Sequence, residues 1–206
     1  MPRFFYFDLG NVLLFFDHQL GCRQMAAAAG IDDPAAVWDC IFASGLHLEY
    51  EAGKLSSREF FDIFCERTGK KPDFDTLARA AGAIFEINAS AKAVLSQLAA
   101  AGHRLGLLSN TNEIHWRYFS DGRYALIPEA FEVAILSFEA RSLKPEEKIF
   151  RIAAERAGLP PEDIFYVDDT PGHVAAAKAL GFDAVQYTTT PRLVADLWER
   201  GVEFNY

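Results

Sequence analysis

Apolar residues gather in short, nearly continuous runs at 4–7, 104–108, 133–136, 164–167 and 184–187. A run without polar alternation reads as a strand buried on both faces, which is the signature of a parallel sheet. Between the later runs the spacing turns helical, over 91–101, 114–119, 146–157, 174–180 and 193–200. Gly102, Gly158 and Gly181 close three of those segments, as glycine does where a helix ends in a left-handed residue. Strand and helix therefore alternate through the second half of the chain, and the pattern predicts an α/β protein with a doubly wound, parallel, five-stranded sheet.

The first run stands apart from the others. After 4–7 come turn residues Gly10 and Asn11, a second apolar stretch at 12–16, and then no strand signal from His18 to about Asn88. Helices are predicted there at 20–29, 34–42, 58–68 and 74–85. Ser56 with Glu59 forms a capping-box pattern before the third. An all-helical insertion at 17–88 thus interrupts an α/β core made of 1–16 and 89–206.

Composition narrows the function classes. Of 206 residues, 50% are hydrophobic and 18 are Phe, which marks a folded globular chain. The net charge of −9 and the lack of a Lys/Arg cluster exclude a nucleic-acid or anionic-membrane surface. Cys22, Cys40 and Cys65 lack metal-type spacing and read as reduced, buried thiols. The apolar start is broken by Asp8 and Asn11, unlike a signal peptide, and no run reaches the length of a membrane span. A soluble, cytoplasmic protein is expected; the sequence does not fix its oligomeric state.

Each of four polar punctuations follows an apolar run: Asp8, Ser109 with Asn110, Lys144 beyond the third run, and Asp168 with Asp169. The carboxyl ends of parallel strands share one edge of the sheet, where ligands bind, so these residues can converge. Carboxylates, a hydroxyl and an ammonium in one place suit phosphoryl transfer with a divalent cation. The segments around them, Phe-Asp-Leu-Gly-Asn-Val-Leu at 7–13, Leu-Leu-Ser-Asn-Thr-Asn at 107–112, Leu-Lys-Pro-Glu-Glu-Lys-Ile-Phe at 143–150 and Tyr-Val-Asp-Asp-Thr-Pro at 166–171, resemble the four ordered motifs of the haloacid dehalogenase superfamily. Glu51-Ala52-Gly53-Lys54-Leu55-Ser56 resembles part of the small four-helix cap of one branch, which includes bacterial sugar-phosphate phosphatases of the glucose-1-phosphate type.

That resemblance implies a Rossmann-like core with a helical cap, and a Mg²⁺-dependent phosphatase acting on a small phosphorylated metabolite. Asp8 matches the nucleophile that forms an aspartyl-phosphate. Asp8, the Gly10 carbonyl and Asp169 match the Mg²⁺ ligands, with Asp168 as a further ligand or a supporting group. Ser109 and the Asn110 N–H match the phosphate holders, and Lys144 the neutralising lysine, with Pro145 starting the next helix. Gly10 departs from the pattern, because many family phosphatases carry there the aspartate that protonates the leaving group. Its absence favours good leaving groups such as anomeric sugar phosphates, unless Asp17 or His18 supplies the proton. His173, another departure, reads as a surface residue. His47, Glu49 and Tyr50 are the candidate cap residues facing substrate. The alternatives are a 2-haloacid dehalogenase, for which adjacent Asp168 and Asp169 have no use, and a catalytically silent module with the same fold.

Overall fold

The computed structural model describes residues 1–124 and 129–206. In chain order its elements are β1 (Phe4–Phe7), β2 (Leu14–Phe16), α1 (His18–Ala29), α2 (Pro34–Trp38) running into a π-helical turn (Asp39–Ala43), α3 (Leu46–Glu51), α4 (Ser57–Thr68), α5 (Phe74–Gly82) and β3 (Phe85–Ile87). Then follow α6 (Ala89–Ala100), β4 (Leu105–Ser109), α7 (Glu113–Phe119), β5 (Val133–Leu136), α8 (Ser137–Ala140), α9 (Glu147–Ala157), a 3₁₀ turn (Pro161–Asp163), β6 (Ile164–Asp168), α10 (Pro171–Ala179), β7 (Asp183–Gln186) and α11 (Thr190–Glu199).

The five-stranded sheet predicted from the apolar runs is present, parallel throughout, in the order β5-β4-β1-β6-β7. β1 is its centre, with Phe5 opposite Leu105 on one side and Phe165 on the other. Every residue of β1, β4 and β6 is buried, which is why those runs carry no polar alternation. Successive side chains point to opposite faces. Phe5, Phe7, Leu107 and Val167 pack with Val94, Leu98, Leu193 and Leu197 of α6 and α11. Phe4, Tyr6 and Tyr166 pack with Phe150, Ala153 and Ala177 of α9 and α10. Gly106 makes room on that second face: a Cβ there would sit 2.5 Å from the Tyr6 ring and 2.6 Å from the Phe4 ring. The Tyr6 hydroxyl keeps its polarity satisfied by donating to the Ala153 carbonyl at 2.9 Å.

Helices α1 to α5 lie between β2 and β3 and have a core of their own, including Cys22, Met25, Phe61, Phe64 and Leu77. The capping box of Ser56 and Glu59 is formed, and Gly30, Gly69 and Gly158 end their helices in the left-handed region. Sequence spacing extends α5 to Phe85, whereas the structure ends it at Gly82 and turns Phe85–Ile87 into an antiparallel partner of β2. Pairing with a distant strand outweighs local helical spacing there. Likewise the predicted helix at 34–42 passes into the π-helical turn at Asp39, and α3 has no counterpart in the predicted elements. The turn after α3 approaches the core closely: Gly53 has φ +65, and a Cβ on it would lie 2.0 Å from the Phe138 carbonyl oxygen of α8. No described helix is long and apolar enough to cross a membrane.

Candidate active site

The carboxyl edge of the sheet gathers the polar residues that end its strands. Asp8 follows β1, Asp168 ends β6, Asp169 follows it, and one carboxylate oxygen from each lies within 4.8 Å of the others. Lys144 reaches into this group from the loop after α8. Its Nζ donates to Asp8 Oδ1 at 2.8 Å, to Asp168 Oδ2 at 2.6 Å and to the Leu108 carbonyl at 3.0 Å. An ammonium has three protons, so this one is fully engaged. The Lys144–Pro145 peptide bond is cis. The helix after it begins at Glu147 rather than at Pro145, because Glu146 still has extended dihedrals.

The two neighbouring aspartates have different surroundings. Asp168 is fully buried and saturated: Oδ2 accepts from Lys144 and the Tyr166 hydroxyl, and Oδ1 accepts from the Thr170 N–H at 2.8 Å. His173 Nδ1 stands 3.1 Å from both oxygens. Asp169 is less buried and accepts at Oδ2 from Asn11 Nδ2 at 3.1 Å. Asn11 has φ +53, a conformation asparagine tolerates, and so turns its amide toward Asp169. His173 is therefore a partner of Asp168 and not a free surface histidine.

Three carboxylates here face a single ammonium. Burial pushes Asp8 up to about 7 against the pull of Lys144. Burial also opposes charge on Lys144 and on Asp168, yet their partners win: Asp8 and Asp168 raise the lysine, and Lys144, with His173 and Tyr166, holds Asp168 well below the carboxylate range. The uncompensated negative charge, with hard oxygen donors, fits a small divalent cation held by Asp8 and Asp169. Asp168 has its lone pairs committed to Lys144, Tyr166 and Thr170, so it fits a supporting role for the lysine better than direct ligation.

Ser109 ends β4 beside this group and is almost fully buried. Asn110 clamps the lysine loop, its Oδ1 accepting from the Lys144 N–H at 2.8 Å and its Nδ2 donating to the Lys144 carbonyl at 3.0 Å. The helix cap is Asn112, which accepts from the His115 N–H; Ser109 and Asn110 lie upstream of the helix start rather than at it. Ser137 Oγ braces the loop through the Thr111 N–H and carbonyl, both at 2.9 Å.

The backbone at Gly10 is not in the left-handed region, and a Cβ there would come 2.9 Å from the Phe16 ring. That ring lies 4.7 Å from His18, which helps to line a narrow cavity of about 40 Å³ between the helical insertion and α7. His47 and Tyr50 line it as expected, but Glu49 is exposed and Glu51 takes its place. Leu48 is also exposed. Asp17 caps α1 by accepting from the Leu20 N–H at 2.9 Å, which commits it to the helix. Sequence reasoning missed Asn11, Tyr166, Thr170 and Glu51 as site residues; Tyr166 in particular looks like one more apolar strand position.

A family model described as haloacid dehalogenase-like hydrolase matches residues 4–181. The chain is 26% identical over 187 residues to a D-ribitol-5-phosphate phosphatase of Bacteroides thetaiotaomicron, covering 87% of this chain and 89% of that protein. It is 28% identical over 130 residues to (S)-2-haloacid dehalogenase 1 of Pseudomonas sp. strain CBS-3, covering 62% of this chain and 56% of that one. A solved structure of a haloacid dehalogenase family enzyme from B. thetaiotaomicron, in complex with magnesium and inorganic phosphate, superposes with a TM-score of 0.78 at 27% identity, covering 91% of this chain and 95% of its own.

Proposed function

The chain belongs to the haloacid dehalogenase-like hydrolases, and from that premise we propose that it is a Mg²⁺-dependent phosphatase that hydrolyses a small phosphorylated metabolite through a phosphorylated Asp8. One observation carries the reading: Asp8 and Asp168 share a single buried lysine while Asp169 brings a third carboxylate within 4.8 Å of them, leaving negative charge that a divalent cation would offset. Resemblance to a sugar-alcohol phosphate phosphatase and to a magnesium- and phosphate-bound family enzyme supports it.

In this reading Asp8, the Gly10 carbonyl and Asp169 would hold Mg²⁺, which would supply positive charge to offset that of the incoming phosphate. Lys144, held by Asp168, orients the Asp8 carboxylate and works against burial to favour its ionised form. An Asp8 oxygen attacks phosphorus, the ester P–O bond breaks, and the alcohol leaves after taking up a proton. Water then attacks the phosphorylated carboxylate, releasing phosphate and restoring Asp8. Ser109 and the Asn110 N–H hold the phosphoryl oxygens. Segment 17–88 acts as a cap that shields the site from solvent. Resemblance to a haloacid dehalogenase raises halide release as the second reading. Adjacent carboxylates at 168 and 169 disfavour it, since they repel a 2-haloacid anion when no cation is bound.

Phosphate release from a panel of phosphate monoesters, with and without Mg²⁺, tests the proposal. Turnover that requires Mg²⁺ is the expected result. Halide release from 2-haloacids with no phosphate release from any ester refutes it.

A further inference from the structure

We infer that the cavity between the cap and α7 receives a compact cationic group, an ammonium or alkylammonium, carried on the alcohol side of the phosphate ester. The inference rests on the phosphatase reading and narrows its substrate class. The cavity lies next to the catalytic edge, because Phe16 contacts both the Gly10 position and His18. Asn112, at the end of the Ser109 loop, forms part of its wall.

Glu51 is the feature that identifies the ligand. Its side chain lines the cavity, and burial is the sole influence on its carboxyl: no described residue makes a hydrogen bond or an ion pair with it. No Lys or Arg is found among the described lining residues. No imidazole of the wall forms an ion pair with Glu51 among the described residues. Burial, followed by the neighbouring His18, pushes His115 down to about 3, and burial also lowers His18. His47 is engaged through Nδ1 with the Ile41 carbonyl at 3.2 Å. A carboxylate left unpaired in such surroundings is costly, and a cation brought by the ligand removes that cost.

The rest of the wall suits the same guest. The Tyr50 and Phe60 rings stack at 4.7 Å, and Phe42 lies 4.7 Å from His18 and 4.9 Å from His47. Aromatic faces attract cations, most strongly where water is excluded. The cavity is small, about 40 Å³, which suits a compact head group.

The absent carboxyl at position 10 points the same way. A cationic substituent near the ester oxygen withdraws electron density and makes the departing alkoxide less basic. It therefore needs less help from a general acid. The atoms balance as ordinary hydrolysis: the Asp8–phosphorus bond forms, the ester P–O bond breaks, the alkoxide takes a proton from solvent, and water returns phosphate and the Asp8 carboxylate.

The test uses the full chain with Mg²⁺. Mg²⁺-dependent phosphate release from the panel of esters, p-nitrophenyl phosphate among them, comes first; its absence from every ester overturns the phosphatase reading and this inference with it. Matched pairs follow, 2-(trimethylammonio)ethyl phosphate against 3,3-dimethylbutyl phosphate, and 2-aminoethyl phosphate against propyl phosphate, each pair differing mainly in charge. The kcat/KM ratio is expected to favour the cationic member by about tenfold or more, and Glu51→Gln is expected to bring the ratio close to one. The inference is overturned, with the phosphatase reading intact, by equal rates within the wild-type pairs, by faster turnover of ribitol 5-phosphate than of either cationic ester, or by a Glu51→Gln protein that keeps the ratio while slowing both members. The wild-type comparison needs no variant, so misfolding of Glu51→Gln leaves the test decisive.

Discussion

Lys144 sits 2.8 Å from Asp8 and 2.6 Å from Asp168, so the charge state of each depends on the others. Asp8→Asn keeps the volume and removes both the nucleophile and one cation ligand. Steady-state phosphate release should fall to background while the circular dichroism spectrum is retained, and measurable turnover by the folded variant would remove Asp8 from its role. Gly10→Asp is the reverse experiment. The backbone at Gly10 needs no glycine freedom, and the obstacle is the Phe16 ring at 2.9 Å from a new Cβ. If that ring shifts, the restored acid should speed alkyl phosphates relative to p-nitrophenyl phosphate by up to about 10²-fold, within the range of general acids. A fall in that ratio would count against the missing-acid reading. Asp8, Ser109, Lys144, Asp168 and Asp169 were legible because each interrupts or follows an apolar run. The groups that fix their geometry were not: Tyr166 is spelled as strand, and Asn11 and His173 acquire partners only when distant segments meet.

Contact between elements, rather than any one element, holds the helical insertion over the site. Tyr50 of α3 shares a hydrogen bond with Ser57 of α4, Ser57 donates to Glu113 of α7, and the Ile114 N–H donates to the Tyr50 hydroxyl at 3.2 Å. Beside this network, Gly53 presses on the Phe138 carbonyl. Gly53→Ala adds a clash to a left-handed backbone and should cost about 1–3 kcal/mol. A lowered Tm together with a raised KM is expected, and an unchanged Tm would show that the turn moves aside freely. Glu51 at the end of α3 gives a pH signature. Folding lifts its carboxyl from the usual 4.5 to about 7, so the native state holds more protons than the unfolded state between those values. Its stabilising effect is full below about 4.5 and is lost as pH rises through about 7. Glu51→Gln should remove that loss, on the order of 1 kcal/mol after allowance for partial exposure. Denaturant melts of both proteins at about pH 5 and about pH 8 measure it, and parallel curves would contradict it. The sequence shows the strong helices, with their capping box and terminal glycines. It hides β3 and α3, because Phe85–Ile87 is too short for a period of its own and Leu46–Glu51 has an exposed leucine amid its apolar positions.

On the scale of the whole molecule, charge and topology set the remaining expectations. Chelation should abolish phosphate release and added Mg²⁺ should restore it; a rate unchanged in EDTA would leave the carboxylate cluster without its proposed purpose. A chain with net charge −9 repels a phosphate dianion at long range. Moderate salt should therefore raise kcat/KM at saturating Mg²⁺, and a steep fall would reveal a local positive field instead. The parallel sheet and its helical interruption were readable from the runs alone, since a strand covered on both faces has no polar positions to spare. The order of the strands was not, because nothing local records which neighbour a strand will take. That order matters for how the chain emerges during synthesis. Phe4–Phe7 is made early and lies at the centre of the sheet, yet its partners are Leu105–Leu107 and Ile164–Val167. Until the second of these leaves the ribosome, an all-aromatic segment has one or both of its hydrogen-bonding edges open, the state most prone to joining another chain. Nascent chains halted before Ile164 should need a chaperone to stay in solution, whereas those extended past Gln186 should not.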